Sequence, residues 1–158
     1  MKKFSDLGAL DDWLLKEAIK QSEHGISIED EMIPKSIVQL GRPWINLYAT
    51  NLFEGEVGNG GLRQFFDNSA GALAPIVRDA LLEIGLVLYS ATIGQPIAVL
   101  GAEYPLDQAV RFDMMEINPT FQKMLDQGND QIDVWGKEFI SARQKYAKIN
   151  DLIVESWE

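Results

Sequence analysis

The sequence has no cysteine and a single histidine, His24, among its 158 residues. The absence of cysteine excludes disulfides, thiolate nucleophiles, cysteine-ligated zinc and iron–sulfur clusters. One histidine cannot form the multi-histidine site typical of zinc, and no glycine pattern marks a nucleophilic serine. We therefore expect no cofactor and no metal, and we expect the protein to act by binding and not as an enzyme.

Positive charge is also scarce. The chain carries 14 lysine and arginine residues against 24 aspartate and glutamate residues, which gives a net charge of −10. Such a charge opposes direct contact with nucleic-acid phosphates or anionic lipid. The 46% of hydrophobic residues is ample for a folded core. We expect an acidic globular protein with no direct nucleic-acid or membrane partner.

The opening of the chain resembles a signal peptide only in its two basic residues. Lys2 and Lys3 are followed by Asp6, Asp11 and Asp12, which interrupt the apolar run that export requires. We therefore expect a cytoplasmic protein.

Residues 84–102 contain no charged residue, a length that invites a transmembrane interpretation. Gly94 and Pro96 lie in the middle of this run, and these residue types favour a helix end followed by a helix start. The sequence therefore predicts two buried helices here.

Apolar residues recur at helical spacing along most of the chain, whereas strand patterns are weak. We expect an N-terminal helix at about residues 10–24, and a second that opens at Arg42–Pro43 and ends at Gly58. Further helices should begin near Pro75 and Leu106. The prediction is an all-α fold, a compact helical bundle that forms a single domain over residues 1–158.

The most regular apolar pattern lies at the end of the chain and predicts one long helix with one apolar stripe. Its positions are Trp135, Phe139, Ala142, Tyr146, Ile149, Ile153 and Trp157. The opposite, solvated face is predicted to carry Lys137, Glu138, Arg143, Lys145, Lys148, Asp151 and Glu155.

The excess of acidic over basic residues is largest in residues 91–130, where six acids accompany two bases. Several follow one another at helical spacings of three or four, which places carboxylates on one face. The candidate surface comprises Glu103, Asp107, Asp113, Glu116, Asp126, Asp130 and Asp133. It could be an ordinary solvated face, or a row of negative charge that imitates a phosphate backbone and binds a basic protein.

A second cluster of polar residues surrounds a glycine pair at positions 60 and 61. Its glycines suit a tight turn between two helices. One interpretation is a structural clasp in which the amides satisfy backbone groups at buried helix ends. The other is a ligand pocket beside Glu56. The motif residues are Glu56, Asn59, Gly60, Gly61, Gln64, Phe65, Phe66, Asn68, Ser69 and Gly71.

This motif, written E-V-x-N-G-G-x-x-Q-F-F-x-N-S-x-G over residues 56–71, resembles the signature of a bacterial domain-of-unknown-function family. The best-known member of that family is a DNA-mimic protein. Leu62 stands where the pattern leads us to expect an aromatic residue. The resemblance implies an all-helical domain over about residues 27–158, with the N-terminal helix packed on it, and a homodimer. It also implies an acidic surface that occupies the DNA-binding face of a transcription factor.

The expected function is thus binding to a basic DNA-binding protein, whose access to DNA the acidic surface modulates. Two alternatives stay open. The same acids could inhibit a basic toxin or nuclease, as an immunity protein does, or Glu56 and its neighbouring amides could form a small-ligand or enzymatic pocket.

Overall fold

The computed structural model describes residues 2–28 and 31–154, and within them the chain forms eight α-helices and one 3-10 helix. The prediction of an all-α single domain is confirmed. The α-helices are α1 (Leu7–Glu23), α2 (Lys35–Val38), α3 (Arg42–Asp67), α4 (Ala74–Ile84), α5 (Val87–Val99), α6 (Gln108–Glu116), α7 (Phe121–Asn129) and α8 (Lys137–Ile149), and the 3-10 helix is Ser69–Leu73.

Helix α3 lies at the centre of the bundle. It contacts the 3-10 helix and every other described α-helix except α5, which packs on α4 and α7. Aromatic side chains from α3 form the middle of the core: the Phe53 and Phe65 rings meet edge to face with centroids 5.1 Å apart, and Phe66 meets Phe121 of α7 at 6.2 Å. Phe65 and Phe66 of the motif are therefore core residues, since both are fully buried.

The first helix begins earlier than predicted. Asp6 ends the extended start of the chain and caps α1, because its Oδ1 accepts a hydrogen bond of 2.8 Å from the backbone N–H of Ala9. A short side chain with an acceptor oxygen favours a helix start at this position. The backbone before it forms a parallel bridge with Ile153, and the Phe4 N–H donates to the Leu152 carbonyl at 3.0 Å.

The uncharged run contains one helix break, but at a different place from the predicted one. Helix α5 continues through Gly94 and Pro96, and the break lies at Gly85, whose φ of +100° ends α4. A left-handed conformation suits glycine, and α5 tolerates Gly94 and Pro96 in its last two turns while it packs on α4. The prediction of a helix end and start at Gly94–Pro96 is wrong.

The C-terminal helix is shorter than the apolar stripe predicted. Helix α8 ends at Ile149, and Asp151 adopts a φ of +61°, which takes the chain out of helical geometry. Trp135 precedes the helix and is 67% exposed, and Ile149 is 66% exposed. Trp157 and Glu155 lie outside the described residues. Arg143, predicted on the solvated face, is instead fully buried.

Candidate functional site

The motif forms at a kink inside α3. The helix does not end at Gly58 as predicted but continues to Gly60 and Gly61, whose backbones are not helical, and resumes at Leu62. Gly61 has φ +73° and ψ −173°, a conformation that side chains exclude. The N–H of Leu62 donates to Asn129 Oδ1 of α7 at 2.8 Å. An amide of a neighbouring helix thus caps the second half of α3.

The carboxylate of Glu56 joins the two halves of α3. Its Oε2 accepts hydrogen bonds from Gln64 Nε2 at 2.9 Å and from Asn68 Nδ2 at 2.8 Å. Asn59 Nδ2 in turn donates to Gln64 Oε1 at 3.1 Å. The amides therefore bind one another and a carboxylate, and not the backbone groups that the clasp interpretation expected. This network stabilises the kinked geometry from both sides.

Arg111 of α6 holds the end of α3 and was not singled out from the sequence. Its side chain is fully buried and donates to four carbonyl oxygens, in two pairs. Nε and Nη2 bind the carbonyls of Phe66 and Asn68 at 2.7 and 2.6 Å. Nη1 binds those of Pro105 and Leu106 at 3.0 and 3.1 Å. The guanidinium thus caps the C-terminal carbonyls of α3 and fastens the loop before α6 to them.

Gly71 completes the motif for a steric reason. A Cβ at this position would lie 2.7 Å from the Phe65 carbonyl oxygen and 2.9 Å from Arg111 Nε, both of which are fixed by the helix end. The Gly71 carbonyl also accepts a hydrogen bond of 2.7 Å from the Tyr104 hydroxyl. Only a glycine allows the 3-10 helix to approach α3 this closely.

We expect Glu56→Gln to lower the free energy of unfolding by about 1–2 kcal/mol. Both amides donate to Oε2, so the oxygen of a glutamine can still accept from them, but it carries no charge and the two charge-assisted hydrogen bonds become weaker neutral ones. Urea denaturation measures the change, and Glu23→Gln at the exposed end of α1 is the matched control. Unchanged stability would contradict the structural role of Glu56, and a lost turnover would favour the enzymatic alternative.

All seven acidic residues predicted as a binding surface are solvent-exposed, but they do not form one helical row. Asp113 and Glu116 lie on α6, and Asp107 is its N-cap and accepts from the Val110 N–H at 2.9 Å. Glu103 lies in the loop before α6, so its four-residue spacing to Asp107 is not a helical one. Asp126 lies on α7, Asp130 ends that helix, and Asp133 follows in the next loop.

A groove of about 440 Å³ brings part of this surface together. Two of the predicted acids, Asp107 and Asp113, line it with a third carboxylate, Asp67, from the end of α3. Phe112, which is 42% exposed, gives the groove an apolar wall. Asp67 and Phe112 were not predicted as site residues.

Arg63 neutralises the neighbouring part of the surface. Its guanidinium pairs with Glu116 and, at 2.9 Å, with Asp67, and it donates to Gln122 of α7 at 3.1 Å. Gln122 donates in turn to Asp126 at 2.8 Å. Glu116 and Asp126 therefore belong to a network that ties α3, α6 and α7 together, whereas Asp107 and Asp113 face the groove.

Asp133 has a different environment from the other acids. Its Oδ1 accepts a hydrogen bond of 3.1 Å from the backbone N–H of Trp135. Its backbone carbonyl accepts a hydrogen bond from the Tyr89 hydroxyl. The exposed indole of Trp135 lies against Gly58 of α3, where a Cβ would come within 2.7 Å of the ring. Gly58 is therefore needed for this close approach, and Asp133 helps to position the loop that carries Trp135.

Within the described residues, no three acidic or histidine side chains come together in a way that could hold a metal ion. Over the described ranges, no helix has the length and apolar character to cross a bilayer.

The fold and this site define an acidic all-α protein with a kinked central helix, whose two halves a carboxylate–amide network joins. A family model described as DMP19-like protein matches residues 39–156, which include the whole motif and helices α3 to α8. The chain therefore belongs to the DMP19-like family, in agreement with the family resemblance noted from the sequence. Searches of curated proteins and of solved structures found no significant match.

Proposed function

We propose that this protein is a DNA mimic, which binds the basic DNA-binding surface of a transcription factor and modulates its access to DNA. Membership of the DMP19-like family and the net charge of −10 support a protein of this kind. The observation that carries the proposal is the groove at α6, because Asp107 and Asp113 line it together with an exposed aromatic ring, whereas its third carboxylate, Asp67, is paired with Arg63.

The groove suits arginine and lysine side chains. Asp107 and Asp113 can accept charge-assisted hydrogen bonds. The guanidinium of Arg63 lies over the Phe112 ring with its Cζ 5.5 Å from the centroid, and the exposed part of that ring can contact the apolar stem of a long basic side chain. Exposed complementary charges chiefly accelerate association and exclude wrong partners, and salt weakens their effect. Binding should therefore weaken as the salt concentration rises, and duplex DNA should compete for the same basic surface.

The test is affinity capture of partners from host lysate on the immobilised protein, with elution in salt steps and identification by mass spectrometry. The proposal is supported if a basic DNA-binding protein elutes as the salt concentration rises and is also displaced by added duplex DNA. A toxin or nuclease in that fraction would support the inhibitor alternative instead. A partner indifferent to salt and to DNA would contradict both.

We expect Asp107→Asn with Asp113→Asn to weaken binding of the captured partner about five- to ten-fold, through loss of two exposed charge interactions. Asparagine keeps the cap of α6, so the helix start is preserved. The matched control is Asp12→Asn with Glu23→Gln on α1, which changes the net charge equally. Equal effects of the two variants on affinity, measured by surface plasmon resonance, would place binding outside the groove.

A further inference from the structure

A second cavity shares no lining residue with the acidic groove and lies between α1, the loop after it, the first half of α3 and the start of the 3-10 helix. It has a volume of about 290 Å³. Its walls include the apolar side chains of Ala18, Ile28 and Leu52, together with the polar groups of Gln21, Tyr48 and Ser69. This size is at the lower end of the range for small-molecule sites, which are mostly apolar with a few polar groups.

Tyr48 is the unusual member of this wall. Its side chain is 1% exposed, and its hydroxyl is a buried polar atom with no hydrogen-bond partner among the described residues. Buried hydroxyls nearly always have a partner, because an unsatisfied one costs free energy. Burial raises the pKa of Tyr48 to about 12, so the hydroxyl is protonated and able to donate.

The other polar groups lie around the same space. Gln21 is 8% exposed and donates to the Glu31 carbonyl, which holds its side chain in place. Ser69 of the motif is exposed at the rim, and the Glu56 network does not use it. None of the described residues that line the cavity carries a charge. Among the described residues, the cavity therefore combines a lining tyrosine whose hydroxyl has no partner, apolar side chains and no ionic group.

We propose that this cavity binds a small, neutral, largely apolar molecule that presents a carbonyl or amide oxygen to the Tyr48 hydroxyl. An apolar ring would lie against Ala18 and Leu52, and the ligand oxygen would satisfy the hydroxyl that the described residues leave unpaired. The cavity and the acidic groove share no lining residue, so this proposal does not rest on the proposed function.

The test uses three molecules of the same shape: benzamide, which is neutral, benzoate, which is an anion, and benzamidinium, which is a cation. Each is titrated into the full-length protein, and binding is followed by the amide shifts of residues around the cavity. We expect saturable shifts with benzamide and much weaker ones with the two ions. No saturable shift with benzamide would overturn the proposal, and equal or stronger binding of either ion would overturn the assigned ligand class.

Two variants locate the binding. Tyr48→Phe should weaken benzamide about five-fold, as expected for one hydrogen bond, while Ala18→Leu should abolish binding by filling the cavity. Thermal unfolding gives an independent check, because loss of an unpartnered hydroxyl should leave the melting temperature unchanged or raise it. Unchanged affinity in Tyr48→Phe, persistent binding in Ala18→Leu, or a lower melting temperature for Tyr48→Phe would each contradict the proposal.

Discussion

Replacing Arg111 by methionine should lower the free energy of unfolding by about 3–5 kcal/mol, the largest single effect that we expect in this protein. The guanidinium is fully buried and donates to the carbonyls of Phe66, Asn68, Pro105 and Leu106. Methionine fills much of the volume but donates nothing, so buried acceptors at the end of α3 are left without this donor. Each such group costs about 1–3 kcal/mol.

Chemical denaturation of Arg111→Met and of a control, Lys123→Met, measures this effect. Lys123 is an exposed residue of the adjacent helix α7, so the control removes the same charge at little cost. Arg111→Lys should be destabilised too, because an ammonium group cannot reproduce the planar arrangement of donors. A loss below about 1 kcal/mol for Arg111→Met would show that the carbonyls find other donors.

Replacing Arg143 by methionine should cost about 2–4 kcal/mol of unfolding free energy. Nη1 and Nη2 pair with both oxygens of Asp11 at 2.8 and 2.7 Å, and Nε donates to the Thr50 hydroxyl at 3.0 Å. Breaking a buried ion pair usually costs about 3–5 kcal/mol. We expect a smaller loss here because both carboxylates remain partly hydrated. The side chain of Asp11 is 20% exposed, and that of Glu54, which lies 3.4 Å from Nη1, is 26% exposed.

Lys145→Met is the matched control, since Lys145 is exposed on the same helix.

Burial raises the pKa of Glu54, and the positive charge of Arg143 opposes that increase. Removing Arg143 should raise this pKa further. A carboxyl whose pKa is higher in the folded state destabilises the fold as pH rises through its titration, so the deficit of Arg143→Met should shrink as pH falls. A deficit independent of pH, or equal to that of the control, would contradict the ion-pair explanation.

The helical fold was predictable because apolar residues repeat at helical spacing, and the motif correctly placed Gln64 and Asn68 near Glu56. Arg143 and Arg111 were not recognised, since spacing arguments assign charged residues to the solvated face. Their partners are remote in sequence: Asp11 lies 132 positions from Arg143. The buried hydroxyl of Tyr48 likewise depends on how α1 and its following loop pack on α3, which no local pattern describes.

The helix break between α4 and α5 illustrates a different limit. Gly85 and Gly94 are equivalent as residue types, and Pro96 made the second position the stronger candidate. The conformation decides between them, because Gly85 adopts φ +100° whereas Gly94 lies within a helix. Likewise, the apolar stripe of α8 continued in sequence beyond Ile149 although the backbone leaves the helix at Asp151.

The Asp11–Arg143 pair crosses the boundary of the family match. Arg143 lies within residues 39–156, whereas its carboxylate partner belongs to α1, which precedes them. The matched segment therefore does not contain every partner of its own buried arginine. A fragment that began at residue 39 would retain the buried guanidinium and the more distant carboxylate of Glu54, but it would lose Asp11, the anion that pairs with both terminal nitrogens of Arg143.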